Sequence, residues 1–555
     1  MKINIKTLKL GSLFIKTQDT ILSAAAMLAA ATGVNAVLGL LKGRLLAKFF
    51  GVSDDLAVFY TADRIPNLVY SILIVGAVST VFIPVFTNIL KKNKETANKT
   101  ASSMISATFL FFFGASILLL AGAPQIIKLI SFEKFTSLQI KLGAHLMRIM
   151  VLSQLLLVAG SLITSILQSF RHFLLPALAP IVYNTGMILG IIFLSPKYGI
   201  YGPALGVLMG SLMHFLIQIP AIKKTGFKYI PSLNFKNKHF RNMLTLIPPR
   251  IGSVLIANTI QTLNNSFAIL ISNASVVYLK FANQLQNFPV SLCGFSMAAA
   301  SLPTLSYETG KDSLDKFKRT FSTAFHQTMF MVMPLSAILL ILRVPTVRLV
   351  YGVSNFPWEA TIQTARTLGF FSVSIFAQSA NYLLTRAFYA LRDTLTPVLV
   401  STTTAVINVI LSLFFISRLN WGVWAVALSF SITSIIDSFI HFYLLNKKLQ
   451  GFEIKRIIIP FSKISVSTLL MAVTLYTPMK LLDQYVLDTS RTINLIVLTA
   501  TAALVGILTY LAFTKLFKVR EIELLYKFLR KIKIKKISAK KLKPESLTYP
   551  ENQTN

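Results

Sequence analysis

Amide and cationic side chains recur at helical spacing in three apolar segments of the chain. Steps of three, four and three residues place four of them near one face of the first segment, namely Thr32, Asn35, Gly39 and Lys42. Two later segments carry the sets Arg250, Asn258, Gln261 and Asn265, and Lys280, Asn283, Gln284 and Asn287. Because these stripes hold cations and hardly any acid, they predict a hydrophilic cavity for an anionic group such as a phosphate or pyrophosphate.

A further polar group stands in the second apolar segment, at Asp63, Arg64 and Asn67, where we expect it on the rim of the same cavity. For any single asparagine or glutamine, an interhelical hydrogen bond is the alternative interpretation. Asp437 is the main acidic exception among the apolar segments, and its neighbours in sequence do not form a recognisable cation site.

The chain lacks the sequence motifs of common hydrolases, metalloproteases and nucleotide-driven pumps, since G-x-S-x-G, H-E-x-x-H and Walker A do not occur. The 6 histidines show no metal-ligand spacing, and there are only 19 Asp and Glu residues to supply paired acids. A single cysteine, Cys293, excludes an intramolecular disulfide and a multi-thiolate metal site. We therefore expect no catalytic residue, no metal site and no cofactor, and hence no enzyme.

Membrane-spanning helices must position these residues. The sequence is 54% hydrophobic and 13% charged, and a hydrocarbon core of about 30 Å needs about 20 apolar residues per helix. Fourteen stretches meet this requirement, near residues 21–41, 57–89, 101–121, 140–168, 174–195, 202–222, 244–268, 272–302, 321–342, 360–388, 396–416, 421–446, 458–480 and 491–516. The sequence thus predicts an all-α, polytopic membrane protein.

Loops that are rich in lysine and arginine alternate along the chain with loops that contain few of these residues. The N-terminus, the loops near 91–99, 223–241 and 311–319, and the C-terminal tail are rich, so the positive-inside rule places both termini in the cytoplasm. The net charge of +36 is concentrated beside the spans and in the tail, which favours anionic membrane lipid over nucleic acid as the partner. Residues 517–533 have the spacing of an interfacial helix on such a membrane.

Several glycine, proline and arginine residues recur at an offset of roughly 220 positions, which indicates a duplication. Gly76 precedes Gly294 by 218 residues, and Arg171 precedes Arg392 by 221. We expect two six-helix lobes at 1–225 and 226–450, two further helices at 451–516 and a basic cytoplasmic tail at 517–555. Two parallel repeats would enclose a central cavity.

Four helical prolines are candidate hinges because each removes a backbone hydrogen bond, namely Pro66, Pro84, Pro289 and Pro303. Static kinks that only improve packing are the alternative.

Several motifs resemble those of one membrane protein family. They are GAVSTVFIPVF at residues 76–86 after Pro66-Asn67-Leu68, FYALRDTLTP at 388–397, and PALAP at 176–180 with Asn184. Together they resemble the MurJ/MviN family of lipid II flippases, within the superfamily of multidrug and oligosaccharidyl-lipid exporters. The resemblance runs through the first twelve spans in order.

The resemblance implies fourteen helices, two lobes in a V shape, and alternating access in the bacterial cytoplasmic membrane. The substrate implied is an undecaprenyl-pyrophosphate-linked peptidoglycan precursor, whose anionic head group would enter the cavity while its tail stays in lipid. Family members usually carry charges at several positions where this chain has Ala36, Gly43, Ala57, Tyr70, Ser71, Asn283 and Gln284. Lys42 is the clearest cation that survives, with Arg44, Arg64 and Lys280 as substitutes nearby.

Three functions are compatible with these observations. The first is a lipid II flippase in which Lys42, Arg250 and Lys280 contact the pyrophosphate, while the amides meet sugar or peptide. The second is a flippase for another lipid-linked oligosaccharide, which the neutral amide lining would suit. The third is a transport-inactive family member that serves as a membrane scaffold through its basic tail. We expect a monomer in each case.

Overall fold

The computed structural model describes residues 21–74, 82–90, 92–170, 172–233, 240–241, 243–244, 248–309 and 314–523. Helices form nearly all of the regular structure, and no β-strand occurs in these ranges. The prediction of an all-α polytopic protein is therefore confirmed. The described chain packs as two compact units, one that ends at Ala274 and one that begins at Ser275. The predicted lobe boundary at residues 225 and 226 and the V-shaped arrangement stay predictions.

The helices of the first unit include several that are short or interrupted. They are α1 Ile21–Phe50, α2 Asp54–Ala62, α3 Arg64–Ser71, α4 Ile83–Leu90, α5 Lys94–Ala121, α6 Ala123–Ile130, α7 Ser137–Ser169, α8 Leu174–Leu189, α9 Ser195–Tyr198, α10 Tyr201–Leu216, α11 Ile219–Thr225 and α12 Pro248–Ile271. A π-helical segment, Gly190–Leu194, joins α8 to α9. Side chains cap several starts: the Thr136 hydroxyl accepts from the Gln139 backbone N–H at the start of α7, and the Gln139 side chain accepts from the Thr136 N–H.

The second unit contains the remaining helices, beginning with α13, whose first two residues belong to the first unit. They are α13 Asn273–Pro289, α14 Ser296–Tyr307, α15 Leu314–Ile341, α16 Arg343–Tyr351, α17 Trp358–Val373, α18 Ile375–Ala390, α19 Leu395–Ser417, α20 Trp424–Lys448, α21 Ile454–Leu481 and α22 Thr492–Leu516. A π-helical segment, Val290–Phe295, joins α13 to α14. The core of this unit is rich in phenylalanine, including Phe317, Phe321 and Phe388.

Eleven helices in the described ranges are long and apolar enough to cross a membrane. The other three predicted spans, at 21–41, 57–89 and 360–388, fall on α1, on α2 to α4, and on α17 with α18. The span predicted at 57–89 is broken at Asp63, because Pro66 cannot donate the backbone bond that a continuous helix needs. The span at 360–388 is broken at Ser374, whose φ of −103° and ψ of 1° interrupt the helix. The count of fourteen stays a prediction.

Helices α8 and α10 pack along a line of small residues. Gly186 of α8 faces Gly210, and Gly190, the first residue of the π-helical segment that follows α8, faces Gly206. A Cβ added at Gly186 or at Gly190 would lie 2.4 Å or 2.3 Å, respectively, from the facing Cα. Glycines four residues apart allow two helix backbones to approach in this way. The seam positions α8, which carries Asn184.

The segment after α22 differs from the interfacial helix predicted at 517–533. Residues 517–520 form a turn in which Lys518 has a φ of 52°, and helix resumes at Glu521. Val519 and Ile522 are buried in the core of the second unit, so this part of the segment packs on protein. Residues 524–555, which contain the rest of the predicted helix, lie outside the described ranges.

Candidate anion-binding site

A hydrogen-bonded chain in the first unit orders the lysine predicted to bind an anion. Lys42 Nζ on α1 donates to Asn184 Oδ1 on α8 at 3.1 Å, and Asn184 Nδ2 donates to Asn35 Oδ1 on α1 at 2.7 Å. Asn184 is buried, and Lys42 and Asn35 are half-buried. An ammonium has three donors and Asn184 is its one hydrogen-bond partner recorded in the described ranges, so two donors can be directed to a ligand.

The break between α2 and α3 adds a second cation and an acid. Arg64 begins α3, and its Nε atom is buried without a hydrogen-bond partner among the described residues. The Asp63 carboxylate acts electrostatically on both Arg64 and Lys42. A buried guanidinium nitrogen without an acceptor is energetically unfavourable, and a phosphate oxygen would supply that acceptor.

Two further hydrogen bonds hold the helices around this group. Asn265 on α12 donates from Nδ2 to the Thr61 hydroxyl on α2 at 3.1 Å, and both residues are buried. Tyr70 on α3 lies 2.8 Å, oxygen to oxygen, from the Ser161 hydroxyl on α7. Asn265, which belongs to the predicted polar stripe of α12, therefore serves an interhelical bond in this structure.

Asn67, Asn258 and Gln261 have no recorded hydrogen bond to this chain of residues in the described ranges. Asn67 is exposed and accepts from the Ser71 hydroxyl at 3.3 Å. Asn258 is half-buried and donates to the Val254 carbonyl of its own helix, whereas Gln261 is exposed. Arg250 lies in α12, but its side chain is outside the described part of the structure.

In the second unit, a row of amides and hydroxyls connects three helices. Asn283 Oδ1 on α13 accepts from Asn287 Nδ2 at 2.7 Å and from Gln286 Nε2 at 3.1 Å. Gln378 Nε2 on α18 donates to Gln286 Oε1 at 2.8 Å and to the Ser374 hydroxyl at 3.0 Å. The Ser374 hydroxyl in turn lies 2.9 Å from that of Ser431 on α20. The exposed end of this row is Asn287.

Lys280 and Gln284 occupy half-buried positions on α13, and nothing in the structure tests their predicted contact with a ligand. The four predicted hinge prolines all lie in helices. Pro66 is buried in α3, Pro289 is buried at the end of α13, and Pro303 is exposed in α14. Pro84 lies in α4, and its side chain is not described. Their hinge role stays a prediction.

Both units contain π-helical backbone at equivalent places in the predicted repeat. The segments begin at Ile72 and Val290, and 290 − 72 gives 218, the offset that separates Gly76 from Gly294. Each follows one of the candidate hinge prolines, Pro66 or Pro289. Single π-helical turns inside helices are frequent at functional sites. The π-helical segments Gly190–Leu194 and Leu482–Val486 have α-helix at the same offset, so the duplication stays a prediction.

Sequence reasoning missed three features of these sites. Asn184 contributes to the family resemblance, but the sequence does not predict that it is the hydrogen-bond partner of Lys42. The two residues are 142 positions apart, and no periodic pattern connects them. Gln286 and Gln378 were missed because an isolated glutamine in an apolar helix has no partner until the helices pack. The glycine seam had a signal that was overlooked, since Gly202, Gly206 and Gly210 recur every four residues.

An all-helical chain with eleven membrane-length helices in its described ranges belongs to the class of polytopic membrane proteins. The solved structure of a multidrug resistance MATE transporter in an inward-facing conformation matches 75% of the chain with a TM-score of 0.65. At 12% identity that likeness concerns the fold alone.

A narrower assignment comes from the sequence profile of the family described as Lipid II flippase MurJ, which matches residues 46–496. The chain belongs to this family, and the predicted resemblance is confirmed. A structure described as lipid II flippase MurJ in an inward closed conformation matches 89% of this chain and 98% of its own, with a TM-score of 0.74 and 26% identity.

Curated relatives agree with the family assignment. A probable lipid II flippase MurJ of Buchnera aphidicola is 27% identical over 506 residues, which are 89% of this chain and 97% of the relative. A lipid II flippase MurJ of Thermosipho africanus is 28% identical over 457 residues, or 82% of this chain and 91% of the relative. The matches extend over nearly the full length of both relatives.

Proposed function

We propose that this protein carries lipid II, an undecaprenyl-pyrophosphate-linked peptidoglycan precursor, from the inner to the outer leaflet of the bacterial cytoplasmic membrane by alternating access. The observation that carries the proposal is the chain from Asn35 through Asn184 to Lys42, with the unsatisfied Arg64 nitrogen in the same unit. These groups bind the pyrophosphate, with Asp63 limiting the net positive charge. Both termini are cytoplasmic and the protein acts as a monomer.

The physical task explains why a protein with few charges suffices. A sugar-peptide pyrophosphate cannot cross hydrocarbon unaided, because each polar group would lose its hydrogen bonds to water. The isoprenoid tail can stay in lipid throughout. The protein therefore needs to supply hydrogen bonds and countercharge to the head group only, and no chemical step is required. The family's usual cavity charges are reduced here to Lys42 and nearby substitutes, so the amides carry more of the binding.

The decisive experiment neutralises the lysines while keeping their size. The double variant Lys42→Gln and Lys280→Gln is expressed in a strain depleted of its own lipid II flippase, and purified protein is assayed in proteoliposomes with head-group-labelled lipid II. Loss of a charge-assisted contact costs about 1.5–3 kcal/mol, which is roughly a 10- to 100-fold loss of binding. We expect failure of complementation and at least a tenfold lower flipping rate.

Lys197→Gln is the matched control, because it removes the same charge from an exposed helix end where Lys197 lies over the Tyr198 ring. That variant should flip and complement normally. Normal growth and flipping of the double lysine variant, at normal expression, would contradict the proposal. Asn184→Leu tests the positioning of Lys42: the lipid II concentration for half-maximal flipping should rise, and Asn184→Asp, which keeps an acceptor for the ammonium, should restore it in part.

Two outcomes would redirect the proposal. If the purified protein flips another defined lipid-linked oligosaccharide and not lipid II, the substrate assignment is wrong while the transport assignment holds. If cavity variants retain function and loss of the tail abolishes it, the scaffold hypothesis is favoured. The deletion should begin at residue 524, because Val519 and Ile522 are buried in the core of the second unit and their removal would disturb the fold.

A further inference from the structure

A carboxylate and an imidazole lie side by side in α20, far along the chain from the lysine site. His441 Nδ1 is 3.2 Å from Asp437 Oδ2 and 3.0 Å from the Asp437 backbone oxygen, one helical turn away. The His441 side chain is 1% exposed and that of Asp437 is 13% exposed. The Thr404 hydroxyl on α19 donates to Asp437 Oδ1 at 3.0 Å. Ionisable side chains in a membrane-spanning helix are costly and usually functional.

The contacts determine which imidazole nitrogen carries a proton. Both neighbours of Nδ1 are oxygen acceptors, so Nδ1 carries its hydrogen and donates it to Asp437. In the neutral ring Nε2 is then an acceptor with a free lone pair. That atom is buried and has no hydrogen-bond partner in the described part of the chain. A buried basic nitrogen beside a carboxylate is a place where one proton can bind.

We propose that Asp437 and His441 form a proton-binding site that couples translocation to the proton gradient, an inference that rests on the proposed function. A hydronium ion in the water phase gives its proton to Nε2, so that one O–H bond breaks and one N–H bond forms, and release to water reverses the step. The pair then alternates between a net charge of −1, with neutral imidazole, and zero, with imidazolium beside carboxylate. Changing the charge inside packed helices alters the relative stability of their arrangements and can bias a conformational equilibrium.

The neighbouring helices α18 and α19 leave this pair without another charge partner. Helix α19 carries no charged residue between Leu395 and Ser417. Helix α18 presents the Phe388 ring to His441, with centroids 5.8 Å apart. Its one cation, Arg386, acts electrostatically on Tyr382, and Tyr389 is the other titratable group of that helix.

More distant charges on α17, α15 and α20 have other contacts. On α17, Glu359 accepts a hydrogen bond from Gln363, and the Arg366 guanidinium lies 4.3 Å from the Trp424 ring at the first residue of α20. On α15, His326 Nε2 bonds the Ile457 carbonyl. Lys448, near the end of α20, pairs with Asp393. Among the described residues, the recorded ion-pair partner of Asp437 is His441.

The pair also lies where the helices of the second unit are joined by polar contacts. Asn381 on α18 donates to the Ser434 carbonyl of α20, and Asn408 on α19 bonds the Thr433 hydroxyl at 3.4 Å. Thr404 completes a polar line between α19 and α20 that ends at Asp437. Loss or gain of a proton at His441 therefore acts on the α19 to α20 contact through Thr404.

The test measures flipping by the full-length chain in proteoliposomes, with the membrane potential clamped to zero and a pH gradient imposed or absent. The ratio of the flipping rate with a pH gradient to the flipping rate without one separates a loss of coupling from a general loss of activity. We expect a ratio of at least five for the wild type and of about one for His441→Gln and Asp437→Asn. His214→Gln is the control, because His214 is a buried histidine without a carboxylate partner in the described ranges, and its ratio should match the wild type. An undiminished ratio in His441→Gln, or a wild-type ratio of one, overturns the proposal.

A second readout separates failure of the proton site from failure of the proposed function. Histidine-selective isotope labelling and nuclear magnetic resonance of the full-length chain report protonation without transport. A His441 signal that shows reversible protonation on acidification and is absent in His441→Gln supports the site. If the His441 signal shows no protonation at any pH at which the chain stays folded, the site is refuted. If the wild type does not flip lipid II at any pH while His441 titrates, the substrate assignment fails and the proton site stands.

Discussion

Replacing one glycine of the seam between α8 and α10 should destabilise the protein although alanine favours helices. In Gly186→Ala the new Cβ would lie 2.4 Å from the Gly210 Cα and 2.7 Å from the Gly210 nitrogen. Carbon atoms in contact are normally about 3.5–4.0 Å apart, so the methyl group is roughly 1 Å or more too close. The facing atoms are backbone, and the two helices must therefore separate to accommodate it.

Two opposing effects set the magnitude. Alanine in place of glycine within a helix gains about 0.5–1 kcal/mol, because the unfolded chain has less freedom to lose. Overpacking costs about 1–3 kcal/mol, and a rigid backbone neighbour favours the upper end. We expect a net loss of about 2 kcal/mol and a Tm lower by about 2–4 °C. The displacement of α8 should also weaken the hold of Asn184 on Lys42 and reduce flipping.

The assay is thermal unfolding of the purified protein in one detergent, followed by size-exclusion chromatography. Gly114→Ala is the control, because no atom lies within 4 Å of a Cβ added there. That variant should be as stable as the wild type or slightly more stable. If Gly186→Ala matches Gly114→Ala in Tm, the close approach of α8 and α10 is not a real constraint and the reasoning is refuted.

Two further stability predictions follow from particular contacts. The pKa of Asp393 lies below its usual value: partial burial alone would raise it, but the hydrogen bonds from Lys448 and Thr396 outweigh burial. The ionised carboxylate thus stabilises the fold above the unfolded pKa of about 4, and this contribution is lost as pH falls through the lower folded value. Asp393→Asn should lower the Tm at pH 7, and the gap to wild type should narrow below about pH 4; a constant gap would contradict this. For the buried bond between Asn265 and Thr61, a double-mutant cycle with Asn265→Leu and Thr61→Val should give a coupling of about 1 kcal/mol, whereas additive losses of Tm would mean that the bond contributes nothing.

The residues of the predicted polar stripes have different hydrogen-bond partners in the structure. The lysine of the first stripe lies in a hydrogen-bonded chain with Asn35, two turns earlier on the same helix face, and Asn184 joins them. Asn265 and Asn283 instead bond side chains within their own units, as the alternative interpretation allowed. Periodicity places residues on one face of a helix, but it does not say whether that face meets another helix or a ligand.

Local properties of the sequence determined that this chain spans a membrane and that it is helical, because hydrocarbon forces every backbone group to bond within its own segment. The same local pattern supported the family assignment, which the comparisons confirm. The tertiary structure alone decided which helix supplies the partner of Lys42, where the span at 57–89 breaks, and that His441 Nε2 is buried without a partner. Such facts depend on side chains far apart in sequence, and their energies exist only once the helices pack.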